Sequence, residues 1–290
     1  MENSVLLVSH LTKRYPSFAL EDVSFSLERG HIMGFIGRNG AGKTTTLKCI
    51  YDLLPFLEGE VLWFGSPLKG KEQAIKNEIG LLFGGIDYYP NAKAKTIHQV
   101  TRRFYPEWDE NLYASWIHYF GLDTNKKIKE FSNGMKIKFS LSLALSHHAK
   151  ALLLDEPTSG LDPVSRDEIL DCFRRVADKE GVSILFSTHV ISDLDKIADD
   201  ITYIQKGRIV ASEPLSVFKE NYYKIEGESD TLTPSLREKI GHLRERNGNF
   251  EGIILSKDAN EFSSYPLSKP TLEEIMLYWE RGNENETAPI

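Results

Sequence analysis

Gly37-Arg38-Asn39-Gly40-Ala41-Gly42-Lys43-Thr44 is the stretch that decides the fold of this chain. Two glycines five positions apart are followed by Lys-Thr, the pattern of a phosphate-binding loop. The flanks agree: the apolar run 31–36 predicts an entering strand, and 44–54 predicts a leaving helix. The glycines let the backbone bend until successive N–H groups face inward at phosphate oxygens, and the positive end of the helix dipole adds to their field. Lys43 is placed to reach the β- and γ-phosphates of ATP, and the Thr44 hydroxyl to ligate Mg2+. Arg38, Asn39, Ala41 and Thr45 complete the residues expected around the phosphates.

Downstream, Leu152-Leu153-Leu154-Asp155-Glu156 predicts a buried strand that carries an acidic pair to its C-terminal edge, where ligands bind in parallel sheets. Asp155 would hold the metal, directly or through water. Glu156, one residue on, is placed to polarise an attacking water as the catalytic group.

Around these two motifs the pattern is α/β. The first thirty residues predict an antiparallel β-meander, with strands at 5–8 and 23–27 and a turn at Arg29-Gly30. A strand pair brackets Gly59 and Gly65, and 79–83 is a further buried strand. Over 86–149 strand signals vanish, and helices are predicted at 96–104, 110–120 and 136–147. Alternation then resumes, with strands at 151–154 and 184–188, helices at 163–179 and 190–198, and a hairpin turning at Lys206-Gly207. Strands separated by helices imply a parallel sheet covered on both faces. The expected organisation is an ATPase domain over 1–214, with a helical subdomain at about 86–149, and a small α+β appendage over 215–290.

With 41% hydrophobic and 27% charged residues, the composition is that of an ordinary globular protein. No apolar run approaches the ~18 residues that span a bilayer. Met1-Glu2-Asn3-Ser4 lacks the basic start of a secretory signal. Cys49 and Cys172 lie far apart in predicted helices and read as buried thiols. The net charge of −7 argues against a nucleic-acid partner.

Together these motifs resemble the ATP-binding subunits of ABC transporters over roughly residues 5–215. Phe131-Ser132-Asn133-Gly134-Met135 sits at the position of the family's signature motif, keeping Ser132 and Gly134 and departing at Asn133 and Met135. The resemblance implies that this motif clasps the γ-phosphate bound by an opposite subunit. Ser159-Gly160-Leu161-Asp162 is similar to the loop that meets its counterpart across the dimer, and His189 to the switch histidine that contacts the γ-phosphate. Tyr15 stands where the family stacks a ring on adenine. The glutamine expected just after the strand 79–83 is replaced by Gly84 and Gly85, so water, Asp87 or another group would fill its place at the metal.

The resemblance further implies a nucleotide-sandwich dimer, homomeric or heteromeric, bound to a separate membrane permease at the cytoplasmic face of the membrane. Phe104-Tyr105-Pro106-Glu107-Trp108-Asp109 and the Phe-Ser-Asn-Gly-Met signature look like the subgroup serving Gram-positive peptide and antibiotic exporters. The competing expectation is a soluble ABC ATPase acting on ribosomes or nucleic acid; ribosome-binding members carry two ATPase domains and a basic linker, unlike this chain.

In the appendage, Thr233-Pro234 predicts a helix start, with strand-like runs on either side. Thr271 with Glu274 forms a capping-box pattern ahead of a second helix whose apolar face is Leu272, Ile275, Met276 and Trp279.

Overall fold

The computed structural model describes residues 4–83 and 89–281. The chain divides into two compact units, Met1–Ser212 and Glu213–Ile290.

The first unit opens with β1 (Ser4–Tyr15) and β2 (Phe18–Glu28), an antiparallel pair. It continues with β3 (Ile32–Ile36), α1 (Lys43–Ile50), β4 (Glu58–Trp63), β5 (Ser66–Pro67), α2 (Glu72–Asn77) and β6 (Ile79–Phe83). Helices α3 (Ala94–Thr101), α4 (Glu110–Tyr119) and α5 (Asn133–Leu145) form the helical region. Then come β7 (Ala151–Asp155), α6 (Pro163–Glu180), β8 (Ser183–Thr188), α7 (Ile191–Ile197), β9 (Asp200–Gln205) and β10 (Arg208–Pro214). Two sheets result: an antiparallel one in the order β2-β1-β4-β5, and a six-stranded one in the order β10-β9-β3-β8-β7-β6.

The six-stranded sheet is parallel from β9 through β6. Its central strands are buried on both faces, which is why β3, β7 and β8 read as near-continuous apolar runs. On one face Met33, Phe35, Leu153 and Leu185 share a core with Leu47 and Ile50 of α1 and with Leu6, Leu20 and Trp63 of the antiparallel sheet. On the other, α6 packs on β3 and β8, and α7 presses Leu194 against Gly34 so closely that an added Cβ would meet it at 2.4 Å. The helical region has its own core, built from Ala94, Tyr113, Leu122, Ile128, Phe131, Phe139 and Leu143. Among the described residues, no helix is long and apolar enough to cross a membrane.

Several boundaries move for local reasons. Helix α1 stops at Ile50 rather than 54, because the chain turns out at Asp52, which has a left-handed φ of 57°. The helix expected over 96–104 ends at Thr101 and tightens into a 3-10 turn at Arg102–Phe104. Helix α5 begins at Asn133, earlier than expected, because Ser132 caps it by accepting from the Met135 N–H. Cys49 and Cys172 are buried, free thiols.

The second unit comprises α8 (Leu215–Glu220), β11 (Tyr222–Glu228), α9 (Pro234–Arg237), β12 (Gly241–Arg246), β13 (Asn249–Leu255), β14 (Leu267–Ser268) and α10 (Leu272–Arg281). Its antiparallel sheet runs β12-β13-β11-β14 around a core of Ile225, Leu232, Ile240, Phe250, Ile254 and Phe262. Two expectations shift here. The helix at Pro234 is capped by Thr233 but lasts only to Arg237, and the following residues form β12. The appendage thus has four strands, not two. The capping box at the second helix is present: the Thr271 N–H donates to Glu274 Oε2 at 2.8 Å, and the Glu274 N–H to Thr271 Oγ1 at 3.2 Å.

Candidate active site

Three neighbouring strands end level. The parallel register pairs Ile36 of β3 with Thr188 of β8, and Asp155 of β7 with Ser187 of β8. Whatever follows each strand is therefore delivered to one place: the glycine-rich loop after β3, Glu156 after β7 and His189 after β8.

The loop is tightly built. A Cβ on Gly37 would meet the Ile204 carbonyl oxygen at 2.3 Å, so nothing larger than glycine fits between β3 and β9. Gly42 caps α1 with a left-handed φ of 115° that a side chain would resist. The Ala41 N–H closes the turn on the Arg38 carbonyl at 3.0 Å, while Arg38, Asn39 and Gly40 face solvent. Thr45 is half-buried on the first turn of α1.

Two hydrogen-bonded chains cross the strand tips. In the first, buried Lys43 donates to the Gly37 carbonyl at 2.7 Å and stands 3.5 Å from Glu156 Oε1, while His189 Nδ1 lies 2.7 Å from Glu156 Oε2. In the second, the Thr44 hydroxyl donates to Asp155 Oδ2 at 2.8 Å, and the Ser187 hydroxyl donates to Asp155 Oδ1 at 2.5 Å. The chains meet in the backbone between the two acids, where the Glu156 N–H reaches Ser187 Oγ at 3.1 Å. Glu156 has a φ of 52°, a left-handed conformation that costs a residue with a Cβ about 1–2 kcal/mol. The adjacent acids thereby turn to different partners, Asp155 to hydroxyls and Glu156 to a cation and an imidazole. Ser187 was not among the expected site residues.

Tyr15, Ser132, Gly134 and Asp162 make no hydrogen bond or ion pair to this cluster among the described residues, whereas the Arg38 carbonyl accepts from Lys43 at 3.5 Å. Ser132 is spent on its helix cap. A Cβ on Gly134 would meet Ser165 Oγ of α6 at 3.0 Å, so the signature glycine marks a close approach of α5 to α6. Asp162 caps α6, accepting from the Ser165 and Val164 N–H groups, and these bonds hold its carboxyl below the usual range. Tyr15 is 42% exposed at the end of β1, with the Lys13 ammonium 4.9 Å from its ring centre. Gly84, Gly85 and Asp87, where the missing glutamine was considered, lie outside the described residues.

Thr44 and Asp155 offer hard oxygen donors 2.8 Å apart beside the phosphate loop, a donor set that suits Mg2+. The converging N–H groups and Lys43 suit the anionic phosphates of a nucleotide.

Known proteins similar to this chain are ATP-binding proteins by name. A family profile described as ABC transporter matches residues 20–159. The ABC transporter ATP-binding protein YtrB of Bacillus subtilis (strain 168) is 30% identical over 247 residues, which is 85% of this chain and 84% of YtrB. The bacitracin transport ATP-binding protein BcrA of Bacillus licheniformis is 28% identical, over 77% of this chain and 74% of BcrA. Among solved structures, an ATP-binding subunit of an ABC transporter superposes with a TM-score of 0.67 at 26% identity, covering 74% of this chain and 92% of that one.

Proposed function

The chain belongs to the ABC transporter family as an ATP-hydrolysing, ATP-binding subunit, and from that premise we propose that it powers an exporter of peptides or antimicrobial compounds through a separate permease. The observation that carries the catalytic part is the convergence of Lys43, Glu156 and His189 on one side of the strand tips and of Thr44 and Asp155 on the other.

In this reading Lys43 and the loop N–H groups bind the phosphates. Glu156 accepts a proton from the attacking water, and its carboxylate is oriented for that by Lys43 and His189. Thr44 and Asp155 would hold Mg2+, whose charge offsets that on the phosphate oxygens. Ser132, Gly134 and Asp162 serve a second ATPase subunit, equal or similar to this one, which accounts for their lack of bonds to this chain's own cluster. Tyr15 stacks on adenine. The permease would hold the chain at the cytoplasmic face of the membrane, and the appendage has a structural or regulatory role.

The export class is supported by BcrA, a bacitracin transport protein by name, and by the motifs at 104–109 and 131–135. Within it we propose a likeness to the ATPase of the staphylococcal phenol-soluble modulin exporter; in this architecture the cargo touches the permease and not the ATPase subunit.

The test pairs chemistry with partner. Glu156→Gln keeps the side chain's shape, so it should bind ATP normally, lose roughly 100-fold or more in turnover, and accumulate as ATP-bound dimers. Affinity capture from membranes should recover a polytopic membrane protein. Turnover near the wild-type rate would discard Glu156 as the proton acceptor, and capture of ribosomes in place of a membrane protein would discard transport.

A further inference from the structure

The Ser187 hydroxyl is fully buried and makes two contacts of opposite polarity. A backbone N–H can only donate, so at 3.1 Å the Ser187 oxygen accepts from Glu156. A carboxylate can only accept, so the Ser187 proton goes to Asp155 Oδ1 at 2.5 Å. The parallel register sets Ser187 beside Asp155, so the contact follows from strand pairing and not from a flexible side chain. With the Thr44 hydroxyl on Oδ2, both Asp155 oxygens are spoken for.

We infer that Ser187 is a positioning residue for hydrolysis, fixing the rotation of the Asp155 carboxylate so that Oδ2 faces Thr44 while its oxygen holds the peptide entering Glu156. This rests on the proposed reading of Thr44 and Asp155 as the magnesium-holding pair. The two jobs are not equally exposed to loss. The Glu156 N–H also reaches the Ser187 carbonyl at 3.1 Å, so without the hydroxyl the left-handed turn keeps one anchor. The Asp155 carboxylate, by contrast, accepts side-chain hydrogen bonds from Thr44 on Oδ2 and from Ser187 on Oδ1, so without the hydroxyl Oδ1 loses the protein donor that fixes its direction. Removing the hydroxyl therefore acts first on metal affinity and only second on the geometry of Glu156.

The experiment is a Mg2+ titration on the full chain, followed by binding of a fluorescent ATP analogue and, separately, by turnover. For Ser187→Ala the half-saturating Mg2+ should rise about ten-fold in both readouts, the cost of a lost hydrogen bond to a charged group. Analogue binding without Mg2+, which depends on Lys43, should stay within about two-fold of wild type. Ser187→Cys fills the site with a larger group that donates only weakly, so it should move the same way, and it carries the test if Ser187→Ala does not fold. A folded variant whose Mg2+ titrations stay within about two-fold of wild type overturns the inference. If Glu156→Gln is inert in the same assay, that result leaves the proposed function standing. Glu156→Gln turnover near the wild-type rate would instead overturn the assignment of Glu156, while the Mg2+ dependence of analogue binding still judges Ser187.

Discussion

Strands β3, β7 and β8 are uncharged up to their ends, and Lys43, Asp155, Glu156 and His189 stand at those ends or in the segments that follow, whereas β11, β12 and β13 carry charge along their length and pair it locally. In the second unit Lys224 pairs with Glu274 at 2.8 Å, Arg237 with Glu245 at 2.7 Å and Arg244 with Glu251 at 3.6 Å. The difference follows from burial. A parallel sheet covered on both faces has room for charge only at its ends, so charges that must be there are gathered at one edge. An antiparallel sheet with a solvated face can distribute them, and distributed surface pairs satisfy each other at little net gain. Gathered charge is available for chemistry, and distributed charge is not. The units should accordingly fail in different ways when altered.

The largest contrast is expected at Lys43. Lys43→Ala should weaken ATP binding roughly 1000-fold, by calorimetric titration, because a buried cation facing phosphate is removed. Melting without nucleotide should change little. A variant that still bound ATP within about ten-fold of wild type would break the contrast on this side.

Phe250→Ala is the mirror case. Phe250 is buried in the second unit's core, and its truncation should cost about 3–4 kcal/mol of that unit's stability while leaving turnover unchanged. A scanning calorimetry trace in which the catalytic rate fell along with that transition would show that the units are not independent.

His147 sharpens the comparison within the first unit, because it is a buried ionisable group that stays out of the gathered cluster. Its ring stacks on Tyr105 at 3.9 Å, Nδ1 meets the Asn77 carbonyl at 2.9 Å, and Nε2 is buried without a partner. Burial pulls its pKa down to about 4. The unfolded chain takes up this proton near the ordinary value of 6.5, so between these values it binds more protons than the folded chain, and stability falls as pH falls. The loss should reach about 3 kcal/mol by pH 4 and level off below it, where both states are protonated and the pH dependence from this group ends. His147→Phe, less stable overall, should lack this component of the pH dependence in denaturant melts; an unaltered pH slope would reject it.

The smallest effect is expected at Thr271. Thr271→Ala removes an exposed helix cap and should cost about 1 kcal/mol in the second unit, with no change in nucleotide affinity.

The parts legible in the sequence were those with strong local chemistry. Short apolar runs located β3, β6, β7 and β8, and Thr271 with Glu274 located a helix start to the residue. What escaped depended on partners distant in sequence. Leu236, Ile240 and Leu243 recur at helical spacing, yet pairing with β13 makes β12 a strand. A local sign was available there, since Asn247-Gly248 is a strong hairpin signal and both residues have positive φ, 53° and 79°. Ser187 escaped because its role lies in register, and nothing within β8 says that Asp155 sits beside it. A serine next to the strand-end Thr188, after the apolar run 184–186, was the one available signal.

The strand order also has a consequence in time. Strand β3 enters the chain by residue 36, but its sheet neighbours are β8 and β9, which begin at Ser183 and Asp200. On a ribosome adding about 5–20 residues per second, the five residues of β3 wait roughly 7–30 s for a partner. The second unit makes no such demand, since β12 and β13 meet across a two-residue turn. The nascent first unit is thus the stage at which chaperone binding, or aggregation, has its opening, and a codon or temperature change that slows elongation between β3 and β8 should lengthen it.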